Sequence, residues 1–242
     1  MASADPALTS SSEVVPHKKS VVREYLESVV VAVILALFIR TFVVQAFKIP
    51  TGSMQNNLLI GDHLLVNKMV YSPSLGPWEA KILAKKPIQR GHVVVFKFPE
   101  DPTRDFIKRV IGLPGEKVEI RNKVVFIDGR PLDEPYVHFL EPPLSPGDPE
   151  YGIRGDERHN WGPEVIPEGH LFVLGDNRDN SRDSRFWGTL PRDQVKGRAF
   201  IVYWSYEASR DEYHRTGYLD WIRDTLAAFG KTRWHRFFHV IR

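Results

Sequence analysis

A long apolar stretch near the N-terminus is the strongest feature of the hydropathy pattern. Only two polar residues interrupt residues 25–39, and a helix needs about 20 residues to cross a bilayer. The pattern therefore predicts one membrane-spanning helix over residues 21–41. Its two arginines, Arg23 and Arg40, are expected near the two membrane interfaces, where their long side chains reach water.

A buried helix of a soluble protein and a cleavable signal peptide are the two alternatives to an anchor. The stretch is apolar on every side, which favours a lipid environment over one face of a protein core. The triplet Val44-Gln45-Ala46 resembles a cleavage site, but Arg40 lies between it and the apolar run. The run is also long for a signal peptide. We therefore interpret residues 21–41 as an uncleaved anchor.

Charge before the anchor predicts its orientation. Residues 1–20 are mostly small and polar, and are expected to form a disordered tail. Basic residues gather at its end and in the first turn of the anchor, at Lys18, Lys19 and Arg23. Because positive charge near a span is retained inside, the tail is expected in the cytoplasm and the rest of the chain on the outer side of the plasma membrane.

Alternating apolar and polar residues, typical of β-strands, dominate the chain after the anchor. Strands are predicted within residues 58–70, 92–98, 106–111, 117–120, 124–127, 171–174 and 199–204. The pattern predicts a mostly β domain over residues 42–206, built on an antiparallel, coiled or barrel-like sheet. Residues 129–169 are rich in proline and glycine, and we expect them to form an inserted second lobe.

The C-terminal segment, residues 207–242, has a different pattern. A helix with one apolar stripe is predicted over residues 218–229, and residues 231–242 mix basic with aromatic side chains. This mixture is typical of membrane-surface segments. It also occurs where an amphipathic segment packs on its own domain, so both interpretations stay open. A short helix is also predicted at residues 78–84.

Composition narrows the chemistry. The chain has 242 residues and no cysteine, which excludes disulfides, cysteine nucleophiles and thiolate metal sites. Its net charge of +3 is mild, and we expect no nucleic-acid partner because a concentrated basic face is missing from the pattern. The Asp- and Asn-rich residues 176–185 do not fit the calcium-loop template. No metal or cofactor is predicted.

Two residues are candidates for nucleophilic chemistry, although each has a common structural interpretation. Ser53 follows Thr51 and Gly52 in a tight turn, where most serines are turn or cap residues. Lys108 shares a strand face with Phe106 and Val110. Such a lysine protects a sheet edge or is buried. A buried lysine can be neutral, and a neutral lysine can act as a general base.

Four segments, in this order, resemble the sequence boxes of bacterial type I signal peptidases. They read IPTGSM at residues 49–54, RGHVVVF at 90–96, IKRVIGLPGE at 107–116 and GDNRDNSRDSRFWG at 175–188. With their flanks, the boxes cover residues 40–204. The last two are long and highly specific.

The resemblance implies a serine endopeptidase with a Ser/Lys dyad. Ser53 stands where the family has its nucleophile, and Lys108 where it has its general base. Thr51 stands where a hydroxyl helps to form the oxyanion hole, together with the backbone N–H of Ser53. The implied reaction removes N-terminal signal peptides from exported preproteins through an acyl-enzyme. The implied partners are these signal peptides and the lipid bilayer, with the export machinery as a further candidate.

The resemblance also implies supporting and substrate-binding residues. Ser181 stands where a hydroxyl hydrogen-bonds the lysine, and Asp183 and Arg185 where the family supports that loop. Shallow apolar pockets for small side chains would explain cleavage after small-x-small sequences. The residues implied to line these pockets are Phe47, Ile49, Met54, Leu58, Phe106 and Ile107.

The sequence departs from the family pattern in two places. The family usually has a Pro-Thr pair shortly after Ser-Met, whereas residues 55–57 are Gln-Asn-Asn, which is expected to loosen the backbone after Ser53. The segment after Tyr206 has no counterpart. Two other functions were considered: a self-processing Ser/Lys protease of the repressor type, and a non-catalytic tethered β-domain that binds partners at the membrane.

Overall fold

The computed structural model describes residues 20–69, 71, 87–140, 159–207 and 230–241. The chain divides into two units, residues 1–39 and residues 40–242, and we describe each by itself. The predictions for residues 1–19, 78–84 and 218–229 lie outside the described residues.

The N-terminal helix is long and apolar enough to cross a membrane. Helix α1, Val21–Phe38, has no buried side chain, and a π-helical turn, Ile39–Val43, continues it. Together Val21–Val43 comprise 23 residues with a mean hydropathy of 2.3. At about 1.5 Å per residue they span roughly 35 Å, more than the roughly 30 Å of a bilayer core. The helix expected from the hydropathy pattern is therefore present.

The residues that resemble a cleavage site belong to a strand. Strand β1 is Val44–Lys48, and it pairs with β2, Asp62–Asn67, with Ala46 opposite Leu65. Cleavage after Ala46 would remove three of the five residues of β1. This pairing supports the interpretation of the apolar segment as an uncleaved anchor.

One large antiparallel sheet forms most of the second unit. Its further strands are β3 Val93–Phe98, β4 Asp101–Gly112, β9 His170–Leu174, β10 Leu190–Pro191, β11 Val195–Ser205 and β12 His239–Val240. The order is β1-β2-β11-β3-β4-β9-β10, and β12 pairs with β11. Register shifts interrupt the pairing of β11 with β2 and β3. Such bulges bend and twist a strand, which agrees with the coiled, mostly β fold that was predicted.

A smaller sheet packs against this one. It contains β5 Lys117–Arg121, β6 Val124–Ile127, β7 Arg130–Pro131 and β8 Trp161–Val165, in the order β7-β6-β5-β8. Its apolar side chains share a core cluster with Ile111, Phe172 and Leu174 of the large sheet. The small sheet begins at Lys117, before the start predicted for the second lobe at residue 129. The lobe itself stays a prediction, because residues 141–158 are not among those described.

The large sheet is buried on both faces at its centre. In β3, Val93 and Val95 belong to one core cluster, while Val94 and Phe96 belong to another. Strand β4 lies between β3 and β9, and its last six residues are all buried. Any polar side chain in this part of β4 is therefore removed from water.

The described part of the C-terminal segment packs on the β domain. A 3₁₀ turn, Trp234–Arg236, leads into β12, and Ile241 is buried in the core cluster that contains Val93. Packing on the domain is thus observed for this segment. Trp234 and Phe238 are nevertheless 65% and 71% exposed, so a membrane-surface role stays a prediction.

Candidate active site

The turn that carries Ser53 lies between β1 and β2. Gly52–Met54 form a single 3₁₀ turn, and the N–H of Ile49 donates to the carbonyl of Asp62 at 2.9 Å, which closes the loop containing the turn. Asn177 holds the turn from another segment. Its N–H donates to the Ser53 carbonyl at 3.1 Å, and its side-chain amide donates to the preceding carbonyl at 3.2 Å.

Lys108 is a buried residue of an interior strand. It lies on β4 opposite Val94 of β3, and it is only 3% exposed. Its amine is 2.8 Å from the Ser53 hydroxyl oxygen, and it donates to the carbonyl of Ile107 at 2.9 Å. Of the two interpretations that the sequence left open, the structure supports the buried lysine over the edge lysine.

Burial sets the charge of this amine. It lowers the pKa of Lys108 from its ordinary 10.5 to about 8, because a low-dielectric interior disfavours the charged form. The carboxylates of Asp183 and Asp176 act in the opposite direction, and the guanidinium of Arg185 adds to the lowering. A base with a pKa near the working pH is well matched to accept and return a proton.

Asp183 and Arg185 form a buried ion pair at the end of β9. Arg185 Nε donates to Asp183 Oδ1 at 2.8 Å, and the N–H of Gly175 donates to Asp183 Oδ2 at 3.0 Å. Burial alone would raise the pKa of Asp183, but the Arg185 guanidinium and the hydrogen bonds from Arg185 and Gly175 outweigh it and lower that pKa. Asp183 also caps the short helix α2, Ser184–Trp187.

Ser181 makes no described hydrogen bond to the lysine. Its side chain is buried, and among the described hydrogen bonds none joins its hydroxyl to the Lys108 amine. The role implied for Ser181 therefore stays a prediction. Residue 175 must be glycine for Ser181 and the serine turn to pack this closely against it. A Cβ there would come within 2.2 Å of Ser181 Oγ and 2.6 Å of the Ser53 carbonyl oxygen.

A second buried ion pair was missed by the sequence argument. Arg109 Nε and NH2 donate to the two carboxylate oxygens of Asp176 at 2.8 and 2.7 Å, and both side chains are 1% exposed. Asn57 also donates to Asp176, at 3.0 Å. The available signal was the alternation of β4, which turns Arg109 to the face opposite Lys108.

A cleft of about 600 Å³ opens beside the dyad. Ser53 and Lys108 line it, and so do Thr51, Phe106 and Ile107. Thr51 is exposed and next to the serine turn, as an oxyanion-hole residue would be. That role stays a prediction.

Four residues implied to contact substrate do not line this cleft. Ile49, Met54 and Leu58 are fully buried members of a core cluster, and Phe47 packs against the same cluster. The substrate-binding role implied for these four residues therefore stays a prediction. Phe106 and Ile107 are the two implied pocket residues that the cleft contains.

The arrangement suits acyl transfer. A hydroxyl becomes a useful nucleophile when a base accepts its proton, and here a pKa-lowered amine is in hydrogen-bond contact with a serine hydroxyl. Among the described residues, no group of three His, Cys, Asp or Glu side chains is placed to hold a metal ion.

Comparisons with known proteins agree with this chemistry. The family model described as signal peptidase, peptidase S26, matches residues 22–204. Signal peptidase I of Leptolyngbya laminosa is 38% identical over 206 residues, covering 82% of this chain and 87% of that protein. Signal peptidase I of Pseudomonas fluorescens is 36% identical over 213 residues, covering 78% and 75%. Signal peptidase I of Aquifex aeolicus is 34% identical over 228 residues, covering 76% and 84%.

These matches favour a signal peptidase over both the repressor-type protease and the non-catalytic domain. The family model covers well over half of the chain, and the relatives exceed 30% identity over most of their own length. The chain belongs to the signal peptidase family, peptidase S26, and is a serine peptidase with an N-terminal helix long and apolar enough to anchor it in a membrane.

Proposed function

We propose that this protein removes signal peptides from exported preproteins, cleaving after small-x-small sequences with Ser53 as nucleophile and Lys108 as general base. The observation that carries the proposal is the 2.8 Å contact between the Ser53 hydroxyl and the Lys108 amine. The names of the relatives, signal peptidase I, support the choice of substrate.

The reaction begins with the bound peptide carbonyl in the cleft beside Ser53. As the hydroxyl oxygen bonds to the carbonyl carbon, its proton passes to the neutral amine of Lys108. The carbonyl oxygen becomes an oxyanion, and the Ser53 N–H and the Thr51 hydroxyl are the proposed donors to it. Preorganised donors of this kind typically contribute a factor of roughly 10²–10³ in rate.

The intermediate then breaks down toward the acyl-enzyme. The ammonium of Lys108 returns the proton to the leaving nitrogen, the C–N bond breaks, and an ester on Ser53 remains. A water molecule next gives its proton to Lys108 and attacks the ester, and the proton returns to Ser53 as the cleaved signal peptide leaves. The reaction requires only side chains, backbone and water.

The membrane anchor fits such a substrate. A preprotein crosses the membrane while its signal peptide stays in the bilayer, so a peptidase anchored at the same membrane meets the cleavage site at the surface. We infer that the N-terminus is cytoplasmic and that residues beyond 48 lie on the outer side of the inner membrane. Protease added outside spheroplasts should digest those residues, and full protection would contradict this orientation.

The direct test is cleavage of a preprotein by the full-length protein in detergent. Wild type and Ser28→Ala, a control serine in the anchor helix, should release the mature protein. Ser53→Ala should release none, although its circular dichroism should match wild type. If folded Ser53→Ala cleaves at a normal rate, Ser53 is not the nucleophile and the proposal fails.

A further inference from the structure

The turn that follows Ser53 is held from several sides. Gln55 has φ −57° and ψ 146°, and Asn56 has φ +84°, which are the angles of a type II turn with asparagine at its left-handed position. The N–H of Asn57 closes the turn on Met54 O at 3.2 Å, and its side chain donates to Asp176 at 3.0 Å. The turn connects the serine to the second buried ion pair.

Arg236 of the C-terminal segment binds the same turn. Its NH2 donates to the backbone carbonyl of Asn57 at 2.8 Å, and its Nε and NH2 donate to the two oxygens of Asp62 at 3.1 and 2.6 Å. Arg236 is 8% exposed and Asp62 is fully buried. A planar guanidinium that satisfies three acceptors in a buried setting has little freedom to move.

The segment that carries Arg236 is itself fixed on the domain. Strand β12 places Val240 opposite Ile201 and His239 opposite Val202 of β11, and Ile241 is 3% exposed. Arg233 N–H also donates to the carbonyl of Ser205 at 2.8 Å. Arg236 is thus presented to the Asn57 turn by a segment anchored on both of its sides.

We propose that residues 231–241 act as a strap in which Arg236 is a positioning residue: it holds the Asn57 turn and thereby the distance between the Ser53 hydroxyl and the Lys108 amine. The inference rests on the proposed function, because it assumes that Ser53 and Lys108 react. Asn57 is connected to the dyad region in two ways. Along the chain it follows Ser53 by four residues, and its side chain donates to Asp176. A dyad held at 2.8 Å is sensitive to small displacements, since errors of about 1 Å can cost a factor of roughly 10² in rate.

The test is single-turnover cleavage of a preprotein by the full-length protein in detergent, with enzyme in excess. The variants are Arg236→Gln, Arg236→Lys and, as a matched control in the same segment, Arg233→Gln. The Arg233 side chain donates to Ile60 O rather than to the turn. Circular dichroism below the melting temperature measures the folded fraction, so that loss of rate is separated from loss of fold.

Folded Arg236→Gln should cleave roughly tenfold more slowly at saturating enzyme, with an unchanged half-saturating concentration. Arg236→Lys, which keeps the charge but not the planar fork, should lie between Arg236→Gln and wild type. Arg233→Gln should stay within about twofold of wild type. If Arg236→Gln does not fold, the Lys variant alone decides, and a folded Lys variant with the wild-type rate overturns the proposal.

Three results overturn the strap: a wild-type rate in folded Arg236→Gln, an equal fall in Arg233→Gln, or a fall that appears only as a higher half-saturating concentration. Failure of the proposed function looks different. In that case Ser53→Ala stays active, whereas failure of the strap alone leaves Ser53→Ala inactive and Arg236→Gln normal.

Discussion

Two adjacent residues of β4, Lys108 and Arg109, are both basic and both buried, yet their charged groups have different partners. Lys108 contacts a serine hydroxyl and a backbone carbonyl, and burial lowers its pKa to about 8. Arg109 makes two hydrogen bonds to the Asp176 carboxylate. Burial is nearly the same for both, but the amine, which can lose its proton, contacts neutral groups, whereas the guanidinium, which keeps its charge, contacts a carboxylate.

The difference has a functional consequence. A carboxylate in contact with Lys108 would keep its proton on the amine and remove the base, whereas a hydroxyl does not favour the charge in this way. Asp176 and Asp183 do raise the pKa of Lys108, but each is in direct contact with an arginine, Arg109 or Arg185. The arginines thus keep two carboxylates near the lysine without letting either pair with it.

The largest expected effect comes from giving Lys108 the permanent charge of its neighbour. Lys108→Arg cannot lose a proton in the working range, so kcat/KM for preprotein cleavage should fall by roughly 10³–10⁴, near the upper end of general-base contributions. The exposed Lys117→Arg is the matched control and should cleave normally. Near-normal turnover of Lys108→Arg would mean that another group activates Ser53.

The next prediction concerns Arg109, the buried ion-pair partner of Asp176. Arg109→Gln leaves Asp176 buried without its ion-pair partner, which should lower the free energy of unfolding by about 3–5 kcal/mol. Arg121→Gln breaks a partly exposed pair with Glu119 and should cost at most about 1 kcal/mol. Urea unfolding followed by circular dichroism measures both. Equal losses in the two variants would contradict the contrast between the neighbouring cations.

Features of Lys108 that depend on its own strand could be predicted from the sequence, but those that depend on strands far along the chain could not. The resemblance found Ser53 and Lys108, and alternation predicted the face of Lys108 correctly. It could not show that β4 is interior, because β9 joins it from about 60 residues further along the chain. Only the position between β3 and β9 shows that Lys108 is a buried lysine and not an edge lysine.

Contacts between distant segments were harder to predict. Hydrophobicity marks Met54 and Leu58 as apolar, but it does not distinguish a pocket wall from a core, and both proved to be core. The Gln-Asn-Asn residues after Met54 were expected to be loose. Asn57 instead makes hydrogen bonds with Met54, Asp176 and Arg236. One of these is Arg236, 179 residues away, in a segment whose composition left a membrane-surface role and packing on the domain both open.

The third prediction follows from the difference between the folded and unfolded pKa of Lys108. Because the folded value, about 8, lies below the ordinary 10.5, the unfolded state binds more protons between these values. Stability from this group should therefore rise as the pH increases from about 8 to about 10.5, by about 3 kcal/mol. Lys108→Met lacks the group, so its advantage over wild type in urea unfolding should be largest below pH 8 and should shrink above it.

Comparing the two proteins at each pH removes the contribution of tyrosines that titrate in the same range. Tyr71, whose pKa burial raises to about 12, is present in both. A constant difference between wild type and Lys108→Met from pH 7 to pH 10.5 would contradict a lowered lysine pKa in the folded protein.

The smallest expected effect concerns Asp176. It tests whether this carboxylate, although paired with Arg109, still raises the pKa of Lys108. Asp176 raises the pKa of Lys108, so Asp176→Asn should lower it, and the Arg109 cation left without its partner acts in the same direction. The acidic limb of kcat/KM reports Lys108 losing its proton in the free enzyme, and it should move to lower pH in this variant. Glu119→Gln, on the small sheet, is the control and should leave the limb unchanged. An unchanged limb would mean that Arg109 fully cancels the effect of Asp176 on the pKa of Lys108. A limb that moves to higher pH would contradict the conclusion that Asp176 raises this pKa.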